Sequence, residues 1–489
     1  MHPSPYVVGI SVLFSGLLPC SSLAQDEKAA GTVTVEPFVI TASRIEEPLQ
    51  EAPLTISVLE GKDLEKSQTI SMEEALRGLP GVDVQRMGSI GEQTVVRLRG
   101  SLSSQTLVLM DGLEVNSPLD GSFDFGDVLT ENIDRIEVVK GPHSALYGSE
   151  ALGGVIQIMT KRGEGPPRYT FLGEGGSLST YRALISGQGS SGSSRFSLSL
   201  GRTGSKGLKE VGRDAFSANS FSGSMEFSPR EGHTLRLLTR YTGSEKELGI
   251  DIPIYPYVNE GVVRLEKDEN RTLRRELFLT SLYYEPPIMS SLSMNARASI
   301  LTTRLDLDNP PDAGLSYTPN VEYIKADSNR VSGEVQASYY PIGSDTLIGG
   351  VDYNGEQTSL TEYQNLNDLG TGGPGTPSFE SMNLWRYKAA MYLQNIFRWK
   401  DFRFDAGARA DVNSVLKRMV LNPRVSLRYS VPFTKTALRA GWATGLRLPS
   451  LKELYFPAIG NPNLKPERSE GYEAGIEQEE FGWTGEVVG

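Results

Sequence analysis

The feature that most constrains this chain is a rhythm that begins near Arg168. From there, segments of about ten residues alternate apolar and polar side chains. Phe196, Leu198 and Leu200 alternate with Ser197, Ser199 and Gly201. Phe221, Gly223, Met225 and Phe227 do the same, as do Leu235, Leu237 and Thr239, then Leu292, Met294, Ala296 and Ala298, and Val425, Leu427 and Tyr429. A period of two belongs to a strand with two unlike faces, and about ten residues is what a tilted strand needs to cross a bilayer. The connections are sorted as well. Tight turns fall at Gly189–Gly192, Pro229–Gly232, Pro286–Ser290, Pro341–Ser344 and Val431–Thr434, while polar stretches expected to be loops cover 204–219, 244–273, 304–328, 357–384 and 445–468. Short turns on one rim and long loops on the other mark an outer-membrane β-barrel, and a β-sandwich has no reason to sort its loops this way. Tyr241, Tyr283, Tyr284, Tyr339, Tyr340, Trp385, Trp399 and Phe402, near strand ends, suit interfacial girdles.

Composition agrees and narrows the alternatives. Hydrophobic content is 38% with 52 glycines, as expected where lipid-facing and lumen-facing residues average out. The apolar run Tyr6–Leu18, followed by Ser22-Leu23-Ala24, predicts a signal peptide over 1–24, although its start carries His2 and no Lys or Arg. The one cysteine, Cys20, lies in that segment behind Pro19, a poor context for lipid attachment. The mature chain would then hold no disulfide, thiolate site or Cys nucleophile. His143 and His233 are its remaining histidines, which leaves no zinc cluster or His-based triad. A net charge of −12 argues against a nucleic-acid partner. No titratable constellation suits general acid–base or nucleophilic chemistry, so an enzyme is not expected.

Residues 25–53 form a polar arm whose one β-prone run is Glu36-Pro37-Phe38-Val39-Ile40-Thr41-Ala42. Taken alone, that run reads as an edge strand. Residues 54–163 read as a compact α/β domain. Strands are predicted at Leu54–Leu59, Thr94–Leu98, Thr106–Met110, Ile133–Val139 and Val155–Met159. Ser71 and Glu74 form a capping box ahead of a short helix that Gly78 and Pro80 end. Asp111-Gly112 signals a turn, and Gly- and Ser-rich loops cover Met87–Glu92 and Asn116–Gly126.

Over nearly its whole length the chain resembles the TonB-dependent receptors. The most specific stretch runs from Ile133 through Lys140-Gly141-Pro142 and Tyr147-Gly148 to Gly153-Gly154-Val155-Ile156, similar to the end of that family's plug domain. Pro80-Gly81-Val82, Arg99-Gly100, Leu107–Gly112, Gly445–Pro449 and Gly460–Glu467 resemble the family at further points. The resemblance implies an all-β membrane barrel, 22-stranded in the family, with an N-terminal α/β plug in its lumen. It implies that 164–489 is part of that barrel and that the protein sits in the outer membrane of a Gram-negative-type bacterium. Gly141, Gly148, Gly153 and Gly154 would allow tight turns and close approach in the lumen. Arg97 and Arg99 would face acidic residues of the wall; a solvated strand face is the plainer reading. Glu36–Ala42 stands where the family carries its TonB box, an extended and unpaired strand that adds to the energy-coupling protein TonB by β-augmentation.

The wording from Arg97 to Ile158 is nearest to the vitamin B12 receptor branch, which also includes ferric siderophore and haem receptors. The resemblance implies a small-molecule ligand, cobalamin or a ferric chelate, taken up by energised transport. It would rest on two upper loops of the plug: Met87, Ser89, Ile90 and Glu92 in the first, and Asn116, Ser117, Leu119, Asp120 and Ser122 in the second. No other cofactor is expected, with Ca²⁺ at Asp306, Asp308 and Asp312 the one candidate metal. The segments count to about fourteen complete strands, with a fifteenth beginning near Thr484, so an interrupted barrel and a fragment without function are one expectation. A surface ligand-binding or signalling receptor without transport is the other alternative.

Overall fold

The computed structural model describes residues 12–13, 38–207, 213–248, 257–259, 262–264, 270–310, 321–365, 378–416, 418–456, 460–480 and 483–488. Two bodies of different chemistry lie one inside the other. The inner body is built on a mixed five-stranded sheet in the order Ile56–Glu60, Ile133–Lys140, Gly154–Thr160, Thr106–Met110 and Leu113–Glu114. Gly154–Thr160 runs parallel to Thr106–Met110 and antiparallel to Ile133–Lys140. Both faces of this sheet are covered. On one, Val108, Met110, Ile136, Val138, Ile156 and Ile158 pack with Leu64, Met72 and Leu76 of two short helices, Gly61–Lys66 and Met72–Arg77. On the other, Leu107, Leu109 and Val155 pack with Ala151 and Tyr147. The second helix begins as predicted, the Ser71 hydroxyl accepting from the Glu74 amide at 3.4 Å, and ends at Gly78. The helix Gly61–Lys66 carries no such cap, and neither it nor the strand Val82–Arg86 is signalled in sequence.

The connection from Ile133–Lys140 to Gly154–Thr160 contains a one-turn helix, Ser144–Tyr147. Two glycines make it feasible. Gly148 has φ +80°, and a Cβ there would stand 3.0 Å from the Arg409 guanidinium of the wall. Gly154 has φ +148° and lies against the Val139 carbonyl. Both conformations suit glycine alone.

The outer body is one antiparallel sheet in which consecutive strands pair as neighbours from Arg168–Gly175 to Trp483–Val488. Among the described residues, fifteen strands follow one another along the chain in this way, and the two residues Val12–Leu13 pair along the edge of the first. Its burial is inverted relative to a soluble sheet. Side chains such as Ile185, Leu198, Leu200, Met225, Leu237, Val351, Met391 and Leu393 are exposed, while Ser197, Ser199, Ser224, Arg240, Arg330 and Arg386 are buried. An apolar outer face around a polar interior is the solution for a sheet in lipid that encloses something wet or polar. No described helix is long and apolar enough to cross a membrane, which says nothing of strands. At the short-turn rim Trp399, Phe402 and Tyr429 stack with centroids 6.3 and 4.4 Å apart. This is the amphipathic belt expected at an interface.

The tight turns lie where the sequence places them, but two of the expected loops are mostly strand. Val321–Ile342, Asp345–Asn365 and Ser378–Trp399 run 22, 21 and 22 residues. Their polar ends stay paired, as in Lys325 opposite Thr361 and Gln357 opposite Trp385. Loss of apolar alternation marks the end of the lipid-facing band, whereas the ladder continues because backbone pairing is indifferent to side-chain polarity. The stretch 445–468 likewise holds a capped helix, Leu451–Tyr455.

Candidate functional site

The plug is fixed to the wall by charge, and mostly in the opposite sense from that expected. The wall supplies the cations and the plug the carboxylates. Arg330 Nη2 lies 2.7 Å from Glu114, which also takes Lys388 Nζ at 3.0 Å. Lys388 in turn lies 3.6 Å from Glu150. Arg275 pairs with Asp124 and lies 3.3 Å from Asp127, and Arg182 lies 3.4 Å from Glu131. Glu356, on the wall, completes the first cluster by pairing with Arg330, Arg386 and Lys388. Buried charges persist only where partners are this close.

Of the two predicted plug arginines, one makes the expected pair. Arg99 Nη1 bonds Glu473 at 2.8 Å. Arg97 makes no such pair among the described residues, where its Nε is buried without a hydrogen-bond partner. Spacing of two suggests a shared face, but the strand ends at Leu98 and Arg99 turns away with φ +48°. Arg44, from the arm, pairs with Glu334 between the rings of Tyr147 and Tyr392, 4.7 and 4.3 Å from their centroids.

The arm corrects a second expectation. Glu36 and Pro37 lie outside the described residues. Phe38–Val39 is neither free nor unpaired, for it forms a two-residue ladder with Glu47–Pro48. Val39, Thr41 and Ala42 are buried. Glu137 Oε2 accepts from Ile40 N, Thr41 N and Thr41 Oγ1 at 3.0, 2.9 and 2.6 Å. Tyr147 Oη donates to Thr41 O at 3.0 Å, and Arg424 Nη1 to Ala42 O at 3.1 Å. The physical reason is that a β-prone segment beside a buried carboxylate gains more from donating its N–H groups there than from remaining in water. Glu47 and Glu51 stand beside Arg398 and Arg403, which flank the Lys400–Asp401 turn, so the arm lies at the short-turn rim.

The two upper loops meet the opposite rim. In the first, Met87 and Ile90 are 60% and 40% exposed. Ser89 hydrogen-bonds the Asp214 carboxylate and receives Lys246 Nζ at 2.6 Å, and Gly91 O receives Arg275 Nη2 at 2.6 Å. Burial lifts the Glu92 carboxyl above its usual range. In the second, Asn116 is wholly buried and holds the loop together. Its Oδ1 accepts from Val108 N at 2.7 Å, and its Nδ2 donates to Thr106 O and Gly121 O at 3.0 and 2.9 Å. Ser117 N donates to Ser122 O at 2.8 Å, and Asp120 Oδ1 accepts from Ser122 N at 3.0 Å. Leu119 O accepts from the amide of Lys452, on the helix Leu451–Tyr455 of the wall. Of the nine residues, Met87 and Ile90 are the ones left as exposed apolar side chains.

A third plug segment, which no sequence motif marks, reaches this rim. Leu102 is 53% exposed, and a Cβ on Gly121 would stand 3.8 Å from Ser104 and 4.0 Å from Ser450. Its one signal is a lone leucine among serines. The Gly445–Pro449 and Gly460–Glu467 motifs gain a rationale here. Arg447 Nη2 holds Glu453 at 2.7 Å and Glu467 at 3.0 Å, while Gln105 of the plug donates to Glu467 at 2.7 Å.

Asp306 and Asp308 lie two apart on the strand Leu292–Asn309, opposite Lys325 and Tyr323, and Asp312 lies outside the described residues. Among the described residues, no three acidic, His or Cys side chains group as ligands for a metal.

Comparison with known proteins adds to this geometry. Residues 48–155 match the TonB-dependent receptor plug domain, and 178–487 the TonB-dependent receptor-like β-barrel. The vitamin B12 transporters BtuB of Photobacterium profundum and Vibrio vulnificus are 27% and 29% identical over 467 residues. That alignment covers 94% of this chain, and 69% and 70% of theirs. Among solved structures, the ferripyoverdine receptor of Pseudomonas aeruginosa aligns with TM-score 0.72 at 16% identity, over 91% of this chain. The chain spans 63% of that receptor's length. The ferric yersiniabactin receptor FyuA of Yersinia pestis aligns with TM-score 0.69 at 15% identity, over 90% of this chain and 71% of that one.

Proposed function

This chain belongs to the TonB-dependent receptors, and we propose on that premise that it serves energised uptake of a scarce, bulky ligand across the outer membrane. Cobalamin and ferric siderophores are the two ligand classes to which its relatives point. The BtuB proteins are named for vitamin B12, and the solved neighbours for ferric siderophores.

One observation carries the reading. The plug exposes Met87 and Ile90 at the rim where the wall's connections are long, and its arm docks Ile40–Ala42 against Glu137 and Arg424 toward the rim where they are short. A receptor that admits a ligand from outside and is pulled from inside needs those two contacts at opposite ends of one domain. The periplasmic partner in this reading is TonB, gripping the segment Glu36–Ala42 as an added strand. That grip requires the docked arm to leave Glu137, so coupling is a release followed by a pull.

Equilibrium binding of labelled cobalamin to outer membranes carrying the surface-exposed chain tests the ligand. Saturable binding assigns cobalamin. Absence of binding by inserted receptor moves the assignment to ferric chelates, tested in the same format. Uptake that persists without TonB would overturn energised transport, and saturable binding with no uptake even when TonB is present would favour a surface receptor without transport.

A further inference from the structure

Between the plug and the wall strands Val420–Ser430, Thr436–Arg447 and Glu467–Glu480 lies a cavity of about 380 Å³ that the reading above does not use. Among the described residues, four buried polar atoms of its lining residues have no hydrogen-bond partner: His143 Nε2, Arg424 Nη2, Ser426 Oγ and Ser469 Oγ. Native interiors leave few such atoms, and four around one cavity call for an occupant.

The charge balance says what kind. Arg424 is 3% exposed. Among the described residues, no carboxylate lies within ion-pair distance of it. The nearby Glu47 and Asp405 are held by Arg403 at 2.7 and 2.8 Å. Arg99 and Lys140 line the same cavity. Facing them are Glu473, which Arg99 and Thr55 engage, and Glu470, which accepts from Tyr472 Oη at 3.2 Å. Three cations against two engaged carboxylates leave the cavity positive, and a buried guanidinium without a counter-ion is costly.

His143 narrows the choice. Its Nδ1 lies 2.9 Å from Gly141 O, and a carbonyl only accepts, so Nδ1 carries the proton and Nε2 is a bare acceptor. Burial, reinforced by the Arg424 charge, lowers the imidazole to about 4 and keeps it neutral. The lining therefore asks for negative charge, for oxygens that receive the guanidinium and two hydroxyls, and for one O–H to donate to His143. Water lacks the charge, and sulfate lacks the O–H. Inorganic hydrogen phosphate has all three.

We propose that this cavity is a hydrogen-phosphate site between plug and wall, with Arg424 as its counter-charge and His143 Nε2 as acceptor of the phosphate O–H. Arg424 also holds Ala42 O through Nη1, so an occupied site fixes the guanidinium that secures the arm. Phosphate is then a brake on arm release.

The test is titration calorimetry of the purified chain in detergent with sodium phosphate, and with sodium sulfate at equal ionic strength. Saturable phosphate binding is expected, at least about fivefold tighter than sulfate and about tenfold weaker in Arg424→Gln, the scale of one charge-assisted hydrogen bond. Ser426→Ala removes one hydroxyl and little else, and a weakening of about threefold is expected there if Arg424→Gln does not fold. Phosphate should also slow thiol labelling of Ala42→Cys in a Cys20→Ser background. No saturable binding, equal affinity for sulfate, or a crystal grown in phosphate that shows waters only would each overturn the proposal. None of these readouts involves the transported ligand or TonB, so they stand whatever that ligand is.

Discussion

Glu137 Oε2 accepts the Thr41 hydroxyl at 2.6 Å and the Thr41 and Ile40 amides at 2.9 and 3.0 Å, so one plug carboxylate holds three donors of the arm. Hydrogen bonds to a buried charge contribute about 1.5–3 kcal/mol each. Glu137→Gln removes the charge and places an amide donor among donors. Thiol labelling at Ala42→Cys should accelerate by about tenfold or more. An unchanged rate would mean that Arg424 and Tyr147 alone hold the segment.

Glu356 sits among Arg330, Arg386 and Lys388, with Glu114 and Glu150 as the other acids. Removing one partner from such a group leaves buried positive charge, at a cost of about 3–5 kcal/mol. Glu356→Gln should lower the thermal midpoint of the detergent-solubilised protein, and Glu114→Gln should loosen the plug first. Limited proteolysis within residues 54–163 distinguishes the two.

Arg99 and Glu473 form a partly exposed pair, so Arg99→Ala should cost no more than about 1 kcal/mol. Glu473→Ala should cost more, because Glu473 Oε1 also accepts from Thr55 N and Oγ1 at 3.1 and 2.6 Å. A double-mutant cycle in urea separates the pair from the Thr55 bonds. Equal single-mutant losses would contradict this ordering.

Val351 stands on the outward face, opposite Val335 on one side and Met391 on the other, all three exposed. If that face meets lipid, Val351→Arg should destabilise insertion by about 2–4 kcal/mol, read as loss of heat-modifiable mobility after refolding into vesicles. In a soluble sheet the same change would be neutral.

His143 gives the plug a pH dependence of defined sign. Its folded pKa of about 4 lies below the ordinary 6.5. Stability is therefore complete above pH 6.5 and falls as pH drops toward 4, where the unfolded chain takes up a proton that the folded plug refuses. The loss is at most about 3 kcal/mol. In stability–pH curves, His143→Gln should flatten this window relative to the native chain and leave the carboxylate region unchanged.

Much of the architecture was legible because it rests on local signals. Alternation at Phe196–Gly201 and Leu235–Thr239 gave faces, and Pro229–Gly232 and Val431–Thr434 gave turns. The fifteenth strand, expected near Thr484, begins at Trp483. The polar ends of Val321–Ile342 and Asp345–Asn365 look like loops in sequence because ladder hydrogen bonds leave no trace in side-chain polarity.

The two candidate loops were legible as segments and not as contacts. Met87–Glu92 and Asn116–Ser122 lie near the long-loop rim, yet Asn116 is a buried clasp, and Leu102, exposed at the same rim, carries no local pattern that marks it. The chain by itself determined a two-faced barrel wall, a compact α/β domain over 54–163, and an arm with a β-prone run, since periodicity, glycine placement and turn chemistry act over a few residues. Only the tertiary structure decided that the arm is docked on Glu137, that the wall supplies most of the cations, and that Arg424 has no carboxylate within ion-pair distance among the described residues. Those facts are pairings between residues up to hundreds of positions apart. The energy of a buried charge depends on what folding brings within a few ångströms of it, and no local pattern encodes that.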